Sequence, residues 1–175
     1  MRPNYKLYKS ETILNNREAA KQECMVAYQY FQERYGDRNL TYRYDEYNIF
    51  NATSCSVFFY DLFLDIRNAV RDFVGDDRKL WIQSWMNVHY PNEVLDWHDH
   101  EATFHGYVSI DPKKSKTIFH NWEIVNEIGN IYVGYGKFEH KVELEDLFDG
   151  ERITLAFDIH DAPNQTANIS YFPLI

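Results

Sequence analysis

The sequence is poor in cysteine and has no long hydrophobic run. Its 175 residues include only two cysteines, Cys24 and Cys55, which match neither a CxxC pair nor a zinc-ligand spacing. We therefore expect two buried, reduced thiols rather than a disulfide framework. No stretch approaches the roughly 18 to 20 apolar residues of a transmembrane helix, and residues 1–11 lack the apolar core of a signal peptide. These absences lead us to expect a soluble, cytoplasmic protein without membrane association.

Positive charge is also scarce. The chain has 18 lysines and arginines against 27 aspartates and glutamates, which gives a formal net charge of -9 at pH 7. A protein that neutralises phosphates needs a surplus of basic residues, so the charge argues against a nucleic-acid partner. We expect a small-molecule or peptide substrate instead. The composition does not determine the oligomeric state.

Aromatic residues, by contrast, are abundant. The chain has 14 Tyr, 12 Phe and 4 Trp, and 45% of its residues are hydrophobic. In a sequence rich in short β-like runs, this composition favours a sheet-based core over a helix bundle. No internal repeat or low-complexity linker interrupts the chain. We therefore expect residues 1–175 to form a single domain.

The N-terminal part of the chain predicts two amphipathic helices. Between residues 16 and 35, and again between residues 59 and 73, apolar residues recur at intervals of three and four. Ser54 or Ser56 is suited to cap the second helix. We expect residues 1–78 to form a helical buttress together with an irregular segment.

The remainder of the chain predicts short strands separated by turn residues. Residues 81–89 alternate and are rich in β-forming side chains, with Trp85 and Asn87 on one side of the pleat. Further strand candidates are 105–110, 116–120, 129–134, 138–143, 151–159 and 167–172. The chain is therefore expected to be mainly β with N-terminal helices. Residues 79–175 would form a double-stranded β-helix, the jelly-roll barrel of cupin-like proteins.

Histidines are concentrated in the segment WHDHEATFHGYVSI, residues 97–110. His98 and His100 are separated by one residue, so both imidazoles lie on the same side of an extended chain and can reach one ion. His140, at the start of a later strand, is a candidate third ligand. Three protein ligands would leave coordination positions open, which is typical of a catalytic metal site rather than a structural one.

Arg152 begins an otherwise apolar strand in the sequence GERITLAFDI. Burying a guanidinium is costly unless it meets an anion, and its planar fork fits a carboxylate. Thr154 lies two residues further on and shares the face of Arg152, so its hydroxyl could bind the same anion. Together with the histidines, this pair predicts a pocket for a small dianion that also chelates a metal.

These residues and their order resemble the non-haem Fe(II)/2-oxoglutarate-dependent dioxygenases. The matching stretches are SWMNVHYPNEVLDWHDHEATFHGYVSI, GNIYVGYGKFEHKV and GERITLAFDI, within roughly residues 80 to 160. The sequence is most similar to a small branch of the superfamily, from phages and marine bacteria, that carries an HxH motif. The resemblance implies a hydroxylase that uses Fe(II), 2-oxoglutarate and O2.

The resemblance also implies the roles of individual residues, which form two groups. The iron ligands would be His98, His100 and His140. The co-substrate 2-oxoglutarate would be bound by Arg152 and Thr154 at its far carboxylate, with Tyr107 and Asn87 facing the same pocket.

One departure from the superfamily pattern concerns the second ligand. His100 stands where the carboxylate ligand is usual, and Asp99 and Glu101 flank it on the other face of an extended strand. Either carboxylate could replace His100 only if the chain bulges. A shifted register, starting at His100, would resemble the halogenases, which leave this ligand position vacant. His105 is expected to pack near the site or to support it, and the remaining histidines are expected to have ordinary roles.

Two alternatives to the oxygenase remain open from the sequence. A cupin-type three-histidine metalloprotein, either an oxygenase or an isomerase, fits the HxH pair and the later His140. A non-enzymatic β-sandwich, such as a binding or phage protein, would keep the barrel without the chemistry. For an oxygenase, the substrate could be a peptidyl residue, an amino acid or a small metabolite, because loops over the barrel mouth select it.

Overall fold

Helices precede most of the strands along the chain. In this computed structural model, the residues described are 3–36, 40–91, 93–162 and 171–174. The helical segments are α1 (Glu11–Asn15), α2 (Arg17–Tyr35), a 3-10 turn (Leu40–Arg43), α3 (Ile49–Ala52) and α4 (Val57–Val74). The strands are β1 (Tyr5–Lys9), β2 (Trp81–His89), β3 (Phe104–Asp111), β4 (Ser115–Phe119), β5 (Glu123–Val125), β6 (Asn130–Tyr135), β7 (His140–Leu144), β8 (Arg152–His160) and β9 (Phe172–Pro173).

The strands form two antiparallel sheets. The larger sheet has the order β1-β6-β3-β8-β2-β9, and the smaller sheet has the order β5-β4-β7. Neighbours in both sheets are often distant in sequence, as β2 and β8 are, so long connections cross between the sheets. This arrangement confirms the mainly β, double-stranded β-helix fold with N-terminal helices that the sequence predicts.

The two faces of the larger sheet have different partners. On β8, Arg152, Thr154 and Asp158 line an internal cavity, whereas Leu155 and Phe157, which alternate with them, are completely buried in the core. Helix α2 contacts β3, and helix α4 contacts β1 and β6. The helices therefore cover one face of the sheet, and the polar residues of the central strands face the cavity.

The predicted helices are confirmed as α2 and α4. The Ser56 hydroxyl accepts a hydrogen bond from the Phe59 backbone N–H, so Ser56 rather than Ser54 is the N-cap of α4. Gly75 ends this helix in a left-handed conformation, with φ of 69°. Cys24 is buried in α2 as expected, but Cys55 is exposed, because it lies in the turn before the cap.

The sequence analysis missed two strands, β1 and the short β5, and placed a third mostly outside the described residues. Strand β1 pairs with β6 at the edge of the larger sheet, within the segment expected to be helical or irregular. Most of the predicted strand at 167–172 lies outside the described residues. The described chain resumes at residue 171, and β9 (Phe172–Pro173) follows. Within the described ranges, none of the helices is long and apolar enough to cross a bilayer.

Candidate metal and co-substrate site

His98 and His140 are brought together by a backbone bridge. The His98 N–H donates to the His140 carbonyl oxygen at 3.0 Å, and the His140 N–H donates to the His98 carbonyl oxygen at 2.9 Å. The segment before β3 therefore runs antiparallel to the start of β7 in the smaller sheet. This pairing holds the two imidazole rings with their centroids 4.4 Å apart.

His100 lies close to this pair because its backbone is hydrogen-bonded to Gly136, which precedes β7. The His100 N–H donates to the Gly136 carbonyl oxygen at 3.1 Å. A Cβ atom at position 136 would collide with the Ala102 carbonyl oxygen, so a glycine is needed where the histidine segment approaches. The glycine before β7 thus helps to place His100 beside His140.

The three histidines converge as a potential metal site. One ring nitrogen from each of His98, His100 and His140 lies within 4.8 Å of the other two. The Nδ1 atom of His98 is 2.6 Å from the Asp96 carbonyl oxygen, and that of His140 is 3.0 Å from the Phe138 carbonyl oxygen. A carbonyl oxygen can only accept, so each Nδ1 carries the proton and each Nε2 has a free lone pair.

The Nδ1 atom of His100 also faces a hydrogen-bond acceptor, but this acceptor is a carboxylate and not a backbone carbonyl. Its Nδ1 lies 3.1 Å from Oδ1 of Asp158, and its Nε2 is buried without a hydrogen-bond partner. An unpartnered buried nitrogen is costly unless something binds it. The donor set therefore fits a metal ion that is held by three Nε2 atoms.

Burial favours the neutral, metal-binding state of His98 and His140. Burial lowers the pKa of His98, and it lowers the pKa of His140 to about 2, with the neighbouring histidines acting in the same direction. Neutral imidazole is the ligating form, so no proton has to be removed from His140 near neutral pH.

The flanking carboxylates do not join the three histidines. Asp99 and Glu101 are exposed, and neither belongs to the groups of potential ligands that the described residues form. The geometry therefore favours His100 over its two neighbours as the second ligand. A second group of potential ligands does include a carboxylate, because Asp158 lies with His100 and His105.

Asp158 is the site residue that the sequence analysis did not assign, whereas His105 lies beside the site, where it was expected. His105 and Asp158 are directly opposed on β3 and β8, and the His105 Nδ1 is 2.9 Å from Oδ1 of Asp158. Burial lowers the pKa of His105 to about 4. Burial alone would raise the pKa of Asp158, but the hydrogen bonds from His100 and His105 outweigh it and hold that pKa well below its usual range.

Arg152 is buried without a carboxylate partner among the residues that the structure describes. Its Nη2 donates to Nδ1 of His89 at 2.7 Å, and its Nε has no hydrogen-bond partner. Burial lowers the pKa of Arg152 to about 10, which still leaves it charged at neutral pH. A buried guanidinium with unused donors is suited to bind an anion.

A chain of hydrogen bonds orients the polar groups beside Arg152. Because His89 accepts from Arg152 at Nδ1, its Nε2 carries the proton and faces the Thr41 hydroxyl at 3.4 Å. That hydroxyl donates to Oδ1 of Asn87 at 2.7 Å, and the Asn87 amide donates to the Thr154 hydroxyl oxygen at 3.4 Å. The Thr154 hydroxyl hydrogen is left to donate to an anion next to Arg152.

Asn87 and Tyr107 both line the cavity, but their polar groups have protein partners. The Asn87 amide holds Thr154, and the Tyr107 hydroxyl donates to Oδ1 of Asn126 at 2.9 Å. Burial raises the pKa of Tyr107 well above its usual range. Direct contact of either residue with a co-substrate stays a prediction.

One cavity of about 700 Å³ contains both groups of residues. The three histidines and Asp158 line it together with Arg152 and Thr154. This volume accommodates a small organic acid and part of a second molecule. The remaining lining includes Tyr42, Tyr44, Gln83, Trp85, Asp96 and Tyr171.

Comparison with known proteins shows a likeness of fold without a detectable likeness of sequence. No family model matches the chain, and no curated protein matches it. The chain is similar in structure to HygX from Streptomyces hygroscopicus, solved with nickel and 2-oxoglutarate, at a TM-score of 0.61 and 12% identity. That alignment covers 94% of this chain and 84% of HygX.

Two enzymes of nogalamycin biosynthesis show the same likeness. The α-ketoglutarate-dependent epimerase SnoN aligns with a TM-score of 0.61 at 9% identity, over 92% of this chain and 80% of SnoN. The α-ketoglutarate-dependent carbocyclase SnoK aligns with a TM-score of 0.61 at 13% identity, over 91% of this chain and 80% of SnoK. The chain has the fold of these three proteins. The likeness supports the resemblance seen in the sequence only at the level of fold, because the identity is low and SnoN and SnoK, an epimerase and a carbocyclase, catalyse different reactions.

The buried His89 predicts that the metal-free protein loses stability in acid. Burial, followed by the charge of Arg152, lowers the pKa of folded His89 to about 3, whereas an unfolded histidine titrates near 6.5. Below about pH 6.5 the unfolded chain takes up a proton that the folded chain does not, so the contribution of His89 is complete above that pH and decreases as the pH falls toward 3. We expect the free energy of unfolding to fall by roughly 1 kcal/mol per pH unit from this residue alone.

Urea unfolding between about pH 7 and pH 4.5 measures this slope. The His89→Gln variant should show a shallower slope than wild type, since it lacks the titrating group. The exposed His120 provides the matched control, and His120→Gln should keep the wild-type slope. Equal slopes in wild type and His89→Gln would show that His89 does not resist protonation in the folded state.

Proposed function

We propose that this protein is an Fe(II)/2-oxoglutarate-dependent oxygenase, and specifically a hydroxylase. One observation carries the proposal: three histidine nitrogens with free lone pairs line the same cavity as a buried arginine that lacks a carboxylate partner among the described residues. A metal alone would not require Arg152, and an anion alone would not require the histidines. A small dianion that chelates a metal requires both groups.

Each residue group has a separate role in this proposal. His98, His100 and His140 bind the metal, and the Arg152 guanidinium with the Thr154 hydroxyl binds the far carboxylate of 2-oxoglutarate. Fe(II) and 2-oxoglutarate together supply the activation of O2 in this superfamily. Arg152 and Thr154 are buried, and a charged co-substrate binds more strongly to groups that are shielded from water. The hydroxylated substrate would be a peptidyl residue, an amino acid or a small metabolite.

An anaerobic titration tests this proposal. The metal-free protein is titrated first with Fe(II) and then with 2-oxoglutarate, and visible absorption is recorded at each step. We expect a weak visible band that forms only when both Fe(II) and 2-oxoglutarate are present. When air is then admitted, we expect succinate to form, slowly if no substrate is added. Tight iron binding without any response to 2-oxoglutarate would contradict the oxygenase proposal.

The all-histidine donor set favours a second candidate, a cupin-type three-histidine metalloprotein. The described residues place no carboxylate in the group formed by His98, His100 and His140, whereas a carboxylate ligand is usual in the oxygenases. In the titration above, this candidate predicts stoichiometric metal binding and no visible band with 2-oxoglutarate. Failure to bind any metal would instead support a non-enzymatic binding protein.

A further inference from the structure

Asp158 is a buried carboxylate whose polar partners are two imidazoles. It is 6% exposed and lies on the cavity face of β8. Its Oδ2 accepts from Nδ1 of His100 at 3.2 Å, and its Oδ1 accepts from Nδ1 of His105 at 2.9 Å. No lysine or arginine among the described residues forms an ion pair with it. The charge of Asp158 is therefore buried without a permanent positive partner, which is unfavourable in isolation.

The arrangement is asymmetric among the three histidines. The Nδ1 atoms of His98 and His140 donate to neutral backbone carbonyl oxygens, whereas that of His100 donates to the carboxylate. A carboxylate behind a ligating imidazole fixes the ring and its tautomer and makes the opposite nitrogen a stronger ligand. His100 stands where the superfamily usually has a carboxylate ligand. The negative charge lies instead on Asp158, and the His100 imidazole separates it from the position of the ion.

From this geometry we infer that Asp158 is the positioning residue that supplies the negative charge of the metal site through His100. This inference rests on the proposed three-histidine metal site. His105 has a supporting role, because its ring stacks on that of His100 with centroids 3.6 Å apart and holds the second side of the carboxylate. A bound divalent cation provides the positive charge that balances Asp158.

The competing arrangement uses Asp158 as a direct ligand. His100, His105 and Asp158 also offer three donor atoms within 4.8 Å of one another. An ion held there would require Nδ1 of His100, and the free Nε2 that faces His98 and His140 would have no use. The two arrangements predict opposite effects for variants of His98 and His105, so they are distinguishable by experiment.

Titration with Co(II), monitored by its visible absorption spectrum, tests the inference on the full chain. Asp158→Asn keeps the shape and one acceptor oxygen but removes the charge. We expect it to bind one Co(II) with about 10- to 100-fold lower affinity and a changed spectrum. Asp158→Glu, which restores the charge, should recover part of the affinity. Asp161→Asn, an exposed change three residues further on, is the matched control and should bind as wild type does.

Two further variants separate the outcomes. His98→Ala should abolish tight binding, and His105→Gln should reduce affinity less than Asp158→Asn does, because Asp158 still holds His100. If His98→Ala abolishes binding while Asp158→Asn binds like wild type, the inference fails and the proposed metal site stands. If His98→Ala binds normally while Asp158→Asn and His105→Gln lose the metal, Asp158 is a direct ligand and both fail. Similar losses in Asp158→Asn and Asp158→Glu, with an unchanged spectrum, would mark a structural role and also overturn the inference.

Discussion

Replacing Arg152 by methionine is expected to weaken 2-oxoglutarate binding to the metal-loaded protein by at least about 100-fold. Truncating one partner of a buried, hydrogen-bonded charge pair typically costs about 2 to 5 kcal/mol, and a factor of 100 corresponds to about 2.7 kcal/mol. Arg152 is the one arginine or lysine among the described residues that line the cavity. Among the described residues of the lining, no other cation can take over its contact with the far carboxylate.

The same variant is expected to leave the metal-free protein at least as stable as wild type. Arg152 is 2% exposed, and His89 is its hydrogen-bond partner. Burial opposes the charged form, as the lowered pKa of about 10 indicates. Methionine fills much of the same space without a charge, so the cost of burying the guanidinium disappears. An Arg152→Met protein that folds stably but binds 2-oxoglutarate weakly is the result expected if Arg152 serves the co-substrate and not the fold.

Isothermal titration with 2-oxoglutarate and thermal unfolding measure the two effects. Arg152→Lys keeps the charge but loses the planar fork, so its affinity should lie between those of wild type and Arg152→Met. Arg78→Met is the control, because Arg78 is exposed and pairs with Asp76. An Arg152→Met protein that binds 2-oxoglutarate like wild type would exclude Arg152 from the co-substrate site. One that unfolds, while Arg152→Lys is stable, would show a structural role.

Local periodicity explains how much of this site could be predicted from the sequence. His98 and His100, like Arg152 and Thr154, are two residues apart, and side chains at that spacing share one face of an extended chain. The helices α2 and α4 are equally local, since apolar spacing defines both of them and the capping serine Ser56 marks the start of α4. Features of this kind depend on neighbours in the sequence, so a single sequence is sufficient to predict them.

Strand register explains why other features could not be predicted. His105 faces Asp158, and His89 faces Arg152, because β3 and β2 pair with β8 in one particular register. That register depends on contacts between residues more than 50 positions apart. One signal was available for Asp158, because it is an acidic residue in an apolar strand and has the same alternation as Arg152. Strand β1 was missed because its side chains at the sheet edge are mostly exposed or half-buried.

Replacing His140 by alanine is expected to lower metal affinity by more than about 100-fold, since changes behind a ligand already cost about 10- to 100-fold. Of the three proposed ligands, His140 is the one outside residues 98–100, because it lies on β7 in the smaller sheet. Without it, two histidines on one extended segment remain, and they cannot enclose an ion from opposite sides.

The loss of metal affinity is measured from the free energy of unfolding, which is determined with and without metal for each protein. The difference between the two values is the stabilisation by the metal. Wild type should gain about 2.7 kcal/mol at a metal concentration 100 times its dissociation constant, because the metal binds the folded state. His140→Ala should gain almost nothing at that concentration. The variant also loses packing against Phe119, but that loss affects both measurements equally and cancels. His120→Ala removes an exposed histidine that pairs with Glu139, so it should keep the full gain. An equal gain in His140→Ala and wild type would mean that the ion lies elsewhere and that His140 is not a ligand.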